Sequence, residues 1–168
     1  DLFQRFGGHA QAAGFALAVE HLPELTRRFE EHAHNVLTAS DLEPVLRVDA
    51  TVNLAEVDWP LYEEIAQLEP FGMGNPTPVF AASGVRLVMT PRILQEKHLK
   101  LRVGAGTRTL DALGWGWAAR TSPLAAGQQV DLAFTIEQNN YQEMASLQLV
   151  IKDLVATGGM GNSWQPEK

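Results

Sequence analysis

From Val79 to Leu154, apolar and polar residues alternate in short runs separated by glycine-containing turns, and this period-2 pattern predicts strands. The expected strands are 79–82 with 85–90, 93–103, 109–116, 129–138 and 146–154. Val130, Leu132, Phe134 and Ile136 share one side of their run and are expected to face a core. Five or six such strands predict a small closed barrel, of OB type first and a β-sandwich second. The N-terminal part has a different rhythm. Phe15–Val19 reads as a short strand, and Leu25, Phe29, Ala33 and Val36 recur at helical spacing from Pro23 to Thr38. Ser40–Pro44 reads as a linker and Leu46–Val52 as a strand. Asp58 reads as the N-cap of a helix that carries Leu61, Ile65 and Leu68 on one face and stops at Pro70. The fold class is therefore α+β. A partial α/β subdomain is expected over 1–43, a barrel domain with a leading helix over 46–156, and a flexible tail over 157–168.

Composition narrows the class. The chain has 168 residues, 45% apolar and 20% charged, as expected of one or two soluble globular domains. No apolar run approaches the ~18 residues of a membrane helix and no signal-peptide pattern opens the chain, so no membrane partner is expected. With no cysteine there are no disulfides or thiolate metal sites, and the cytoplasm is the default location. The first residue is Asp1 rather than Met, and the chain reads as a piece of a longer protein. The net charge of −7 weighs against non-specific nucleic-acid binding, but a local basic stripe can bind while the rest stays acidic. His32 and His34, two apart on a helix, point to different sides and read as surface rather than ligands.

Two segments carry candidate chemistry. In Arg5–Phe15 the pair Gly7-Gly8 can offer bare backbone N–H groups to an anion, His9 adds a side-chain donor and Arg5 a charged fork. A glycine pair also serves as a turn and a lone histidine as a structural residue, so both readings stand. In His98–Val103, residues two apart share a strand face, which places His98, Lys100 and Arg102 in a row at ~6–7 Å intervals. That spacing suits the phosphates of an extended single strand. Lys97 and Arg92 lie nearby, and Trp115 or Trp117 could stack on a base. Charged residues facing outward from any half-exposed strand, with Trp115 in the core, is the alternative. Trp59 and Trp164 read as packing and tail residues.

Gly7–Phe15 resembles the GGHxxAAGF signature of the DHH-associated domain, which follows the catalytic domain in DHH-family phosphoesterases. Leu68–Phe80 resembles the LxPFGxGNPxPxF signature of RecJ-type single-stranded-DNA exonucleases. His98–Leu101, Leu110–Gly114, Asn139 and Leu147–Leu149 match that family in order and at similar separations, and the resemblance covers residues 1–155. It implies a 5′→3′ exonuclease of DNA repair and recombination that hydrolyses single-stranded DNA with manganese or magnesium. It also implies metal ligands in a catalytic domain that carries an Asp-His-His motif. This chain has no such motif, so catalytic residues, metal and cofactor are expected at none of its positions, and by itself it is expected to hold substrate without turnover. On the resemblance, Arg5, Gly7, Gly8 and His9 hold a substrate phosphate, while His98, Lys100, Arg102 and Trp115 track the strand. Gly72, Gly74 and Asn75 are expected to fix the turn from helix to barrel. Two other readings stay open: a barrel that docks a partner protein such as single-strand-binding protein, and part of a DHH-related phosphodiesterase acting on very short RNA or cyclic dinucleotides.

Overall fold

The computed structural model describes residues 2–120, 124–140, 145–157 and 164–166. The chain divides into two compact units, Asp1–Pro44 and Val45–Lys168.

In the first unit, β1 (Arg5–His9) and β2 (Ala12–Ala16) form an antiparallel hairpin in which Gly7 faces Gly14 and Gly8 faces Ala13. The glycine pair, read as an anion-holding segment or a turn, thus lies within a strand, and the expected 15–19 strand lies three residues earlier. A short 3-10 turn at Val19–His21 leads into α1 (Leu22–Val36), with Pro23 in its first turn, where no intrahelical N–H is needed. Glu24 pairs with Arg27 and Arg28, and Arg27 also with Glu31, on the exposed face of α1.

The second unit opens with β3 (Leu46–Val48) and β4 (Ala50–Thr51), so the strand expected over 46–52 is interrupted. The interruption is Asp49, whose N–H donates to Val79 O at 2.8 Å and whose Oδ2 accepts the Val79 N–H at 2.7 Å. Helix α2 (Trp59–Ala66) begins as the sequence indicates, Asp58 Oδ1 accepting the Leu61 N–H at 3.0 Å. It ends earlier than expected, and Leu68 lies beyond it, exposed. The following turn is held by Asn75, whose Nδ2 donates to Leu68 O at 2.7 Å and Pro70 O at 3.2 Å.

The barrel itself consists of β5 (Phe80–Leu87), β7 (His98–Ala105), β8 (Arg108–Gly114), β9 (Gln129–Asn139) and β10 (Ser146–Ala156), with β6 (Arg92–Leu94) outside β7. Strand order is β4-β5-β9-β10-β8-β7-β6, and a β5–β7 pairing closes the cylinder. The β8–β10 pair is parallel and the other barrel pairs are antiparallel. This is the five-stranded arrangement of an OB barrel rather than a sandwich. Val130, Leu132, Phe134 and Ile136 face the interior with Leu99, Leu101, Val103 and Leu149, joined by Leu54, Val57 and Ile65.

The run expected as one strand over 93–103 is a hairpin, turning at Leu94–Lys97 with Lys97 N–H donating to Leu94 O at 3.0 Å. Gln95 and Glu96 both have positive φ, 49° and 57°. Left-handed backbone costs an L-residue roughly 1–2 kcal/mol, so Glu96→Gly is expected to stabilise the barrel by about 0.5–1 kcal/mol, read as a higher urea midpoint at unchanged slope. Destabilisation would show that the Glu96 side chain contributes more than its backbone loses.

The tail expected over 157–168 is described only in part. Thr157 N–H donates to Gln129 O at 3.3 Å, and Trp164–Pro166 pairs as a parallel strand, β11, with Leu46–Val48. Thr157 thus extends the β9–β10 ladder, and Trp164–Pro166 is paired because β3 presents an edge for it. The rest of the tail lies outside the described residues.

Candidate nucleic-acid interface

The outer face of β6, β7 and β8 is built by strand parity. Leu99, Leu101 and Val103 turn into the core, so His98, Lys100 and Arg102 turn out. Antiparallel register then sets their neighbours. Arg92 stands opposite Lys100, Leu94 opposite His98, and Asp111 opposite Arg102. A groove of about 510 Å³ runs over this face, lined by Met89, Arg92, Leu94, Lys100, Arg102 and Asp111. It holds three cationic side chains against one carboxylate.

Asp111 is the group the sequence reading passed over. Lys100 Nζ donates to its Oδ2 at 2.8 Å and Arg102 Nη1 to its Oδ1 at 2.8 Å, while Arg102 Nη2 reaches Thr109 Oγ1 at 3.1 Å. Partial burial opposes the charge on Asp111, but the hydrogen bonds and positive charges of Lys100 and Arg102 outweigh it and hold the carboxyl below its ordinary range. The row foreseen as a bare cationic stripe is therefore a braced one. Outward parity with Thr109 on β8 would have flagged Asp111, but its pairing with β7 requires the register.

At the other end of the row, His98 Nδ1 accepts the Gly116 N–H at 3.0 Å, and its ring meets Trp115 edge to face at 4.7 Å. Trp115 is 55% exposed. It lies on the surface just past β8, not in the core. Trp117 instead packs half-buried against the core, close enough that a Cβ at Gly114 would meet its ring at 2.9 Å.

In the first unit, parity separates the glycine pair. Arg5, Gly7 and His9 share one face of β1, opposite Ala16, Gly14 and Ala12 of β2. This leaves a floor of glycine and alanine between a guanidinium and an imidazole, and a Cβ at Gly7 or Gly14 would meet nothing within 4 Å. Gly8 falls on the opposite face with Phe6 and Phe15. A Cβ there would come within 2.5 Å of Ala12 O and Ala13 Cα, so its smallness serves the close approach of the hairpin strands. Positive φ is not what either residue of the pair supplies, since among the described residues the glycines with that geometry are Gly84, Gly106, Gly116 and Gly127. The nest of successive N–H groups expected at Gly7-Gly8 thus gives way to a flat strand face.

A family model described as RecJ OB domain matches residues 48–153. The chain belongs to the RecJ OB domain family. Curated relatives of this RecJ OB chain include the proteins named single-stranded-DNA-specific exonuclease RecJ of Bacillus subtilis and of Thermus thermophilus. They are 30% identical over 154 residues and 31% identical over 156 residues. These matches cover 91% and 92% of the chain but 20% and 21% of the relatives, so the chain spans about a fifth of their length. The crystal structure of Thermus thermophilus RecJ in complex with Mg2+ superposes over 99% of the chain and 24% of its own length. The TM-score is 0.67 and the identity 28%. Its Mn2+ complex gives a TM-score of 0.68 at 27% identity.

Among the described residues, no group of three His, Asp or Glu side chains could hold a metal ion, so the divalent metal that the resemblance implies finds no ligand set among them. Among the same residues no helix is long and apolar enough to cross a membrane. In this RecJ OB barrel the groove over β6–β8 sets Arg92, Lys100 and Arg102 along one open face.

Proposed function

We propose that this chain is the substrate-holding part of a 5′→3′ single-stranded-DNA exonuclease of cytoplasmic DNA repair and recombination. Its manganese- or magnesium-dependent chemistry belongs to residues other than those described here. One observation carries the reading: the groove of Arg92, Lys100 and Arg102, on the same strand face as His98, whose ring meets the exposed Trp115. It lies on the second and third barrel strands, β7 and β8, the face through which OB folds take oligonucleotides. Cations spaced along a strand follow a phosphate backbone whatever its sequence, and an exposed indole stacks on any base. The names of the curated relatives support single-stranded DNA as the polymer. In the hairpin, Arg5 and His9 flank the small-residue floor on which a terminal phosphate can lie, with Gly7 as part of that floor.

The test is fluorescence anisotropy of a labelled oligothymidylate titrated with the chain at two salt concentrations. Binding that weakens with salt is the expected result, together with an intact 5′-labelled oligonucleotide after incubation with Mn2+. Flat anisotropy at high protein concentration would refute the reading in favour of a protein-docking barrel. Binding of a cyclic dinucleotide but not of a longer strand would favour the short-substrate phosphodiesterase.

The brace makes a further prediction. Asp111→Asn removes the one carboxylate in the groove and releases Lys100 and Arg102 toward the ligand. Affinity is expected to rise about two- to fivefold, the scale of one partly exposed charge interaction. A fall in affinity would mean that holding the two cations in place matters more than the negative charge costs.

A further inference from the structure

We propose that the cavity between α2 and the starts of β8 and β10 is a single-nucleotide subsite, in which Arg108 holds a phosphate and Trp59 receives the base. The inference rests on the single-stranded-DNA reading above and extends it to a surface outside the basic row. The cavity measures about 270 Å³ and is lined by Trp59, Arg102, Arg108, Asp111, Asn139 and Gln148, among others. That is just under the ~300–1,000 Å³ range of drug-sized sites, as suits a ligand of one nucleotide. It adjoins the groove over β6–β8 directly, because Arg102 and Asp111 line both.

The observation that points to a ligand is Arg108. Its side chain lines the cavity and its buried Nε has no hydrogen-bond partner among the described residues, whereas the Arg102 fork, lining the same cavity, is already committed to Asp111 and Thr109. A buried donor on a charged group calls for an acceptor, and a guanidinium matches phosphate oxygens in a planar, two-point contact. The other side chains suit a base. Trp59 contributes an indole about a third exposed, held edge to face by Tyr62 at 5.8 Å. Gln148, set beside Asp111 by the parallel β8–β10 register, offers an amide carrying both donor and acceptor. Asn139 and Ser146, paired across β9 and β10, close the end. The cavity therefore combines the three chemistries of one nucleotide: a cation for phosphate, an aromatic face and an amide for the base edge.

The experiment uses the same anisotropy titration on the chain as it is, with oligothymidylate and with an abasic strand of equal length. Arg108→Gln is expected to weaken binding of both strands about five- to tenfold, and Arg108→Lys to recover only part, since it keeps the charge but not the fork. Trp59→Ala is expected to weaken oligothymidylate several-fold and to leave the abasic strand unchanged, with Trp59→Phe close to the parent. Thermal unfolding of each variant separates lost binding from lost fold, and Gln148→Ala replaces Trp59→Ala if that variant unfolds. Parental affinity in Arg108→Gln and Trp59→Ala, while Lys100→Ala/Arg102→Ala still loses binding, would overturn the subsite and leave the strand-holding reading intact. No binding of either strand by the parent chain would overturn both.

Discussion

Replacing Lys100 and Arg102 together by alanine is expected to weaken single-strand binding by about 10- to 100-fold at low salt and to flatten its salt dependence. Each phosphate contact with a single strand contributes about 0.7 to the slope of log affinity against log salt, so losing two should lower the slope by about 1.4. The structure adds a second cost. Both cations are bonded to Asp111, and removing them leaves that carboxylate uncompensated in the groove where the backbone would lie. The double variant therefore changes a local balance of three cations and one anion into one of each, Arg92 against Asp111. Anisotropy at several salt concentrations measures slope and affinity together. An unchanged slope would place the DNA track elsewhere on the barrel, whatever happened to the affinity.

Asp131→Ala is expected to destabilise the barrel by about 2–4 kcal/mol, through an amide left without an acceptor and a small void. Asp131 is 1% exposed, and its Oδ1 accepts the Gly84 N–H at 2.7 Å. That contact sits where the β5–β9 register shifts between Ala82 and Val85, and Gly84 holds φ at +65°. The irregularity bends β5, which pairs with β9 again at Val85 and Arg86 and with β7 at Arg86 and Leu87, and that double pairing closes the cylinder. The Asp131 carboxyl replaces the ladder bond that the bulge forfeits. Urea unfolding reads the loss directly, and Asp131→Asn, which keeps an acceptor oxygen, is expected to cost less than the alanine. An alanine variant within 0.5 kcal/mol of the parent, against the ~1–3 kcal/mol expected for an orphaned buried amide, would show that water takes over the Gly84 N–H.

Strand parity was legible because it is local. Leu99, Leu101 and Val103 alternate with His98, Lys100 and Arg102, so one choice of inward face decides all six positions. The N-cap at Asp58 was legible for the same reason, a short polar side chain three residues from the amide it caps. The turn at Gln95-Glu96 was not, since neither residue carries the usual signal for left-handed backbone, and the 93–103 run looked continuous. The hairpin at Gly7–Gly14 escaped for the opposite reason. Glycines advertise a loop, but here they sit in extended strands, and only at Gly8 do the two backbones meet closely enough to require one.

The sequence by itself determined the α+β class, the inward set of the strands, the row at His98–Arg102 and the candidate residues Arg5–His9, because each follows from the residue pattern within single segments. Tertiary structure alone decided the partners. It set Asp111 between Lys100 and Arg102, brought Trp59 to Arg108 across some fifty residues of sequence, and split Gly7 from Gly8 onto two faces. It also buried Ala133 on the outer side of β9 against Val48 and Ala81, where alternation alone would have left it in solvent. Register and barrel closure are settled by contacts between strands far apart in the chain, and a one-residue change in pairing would exchange every such neighbour.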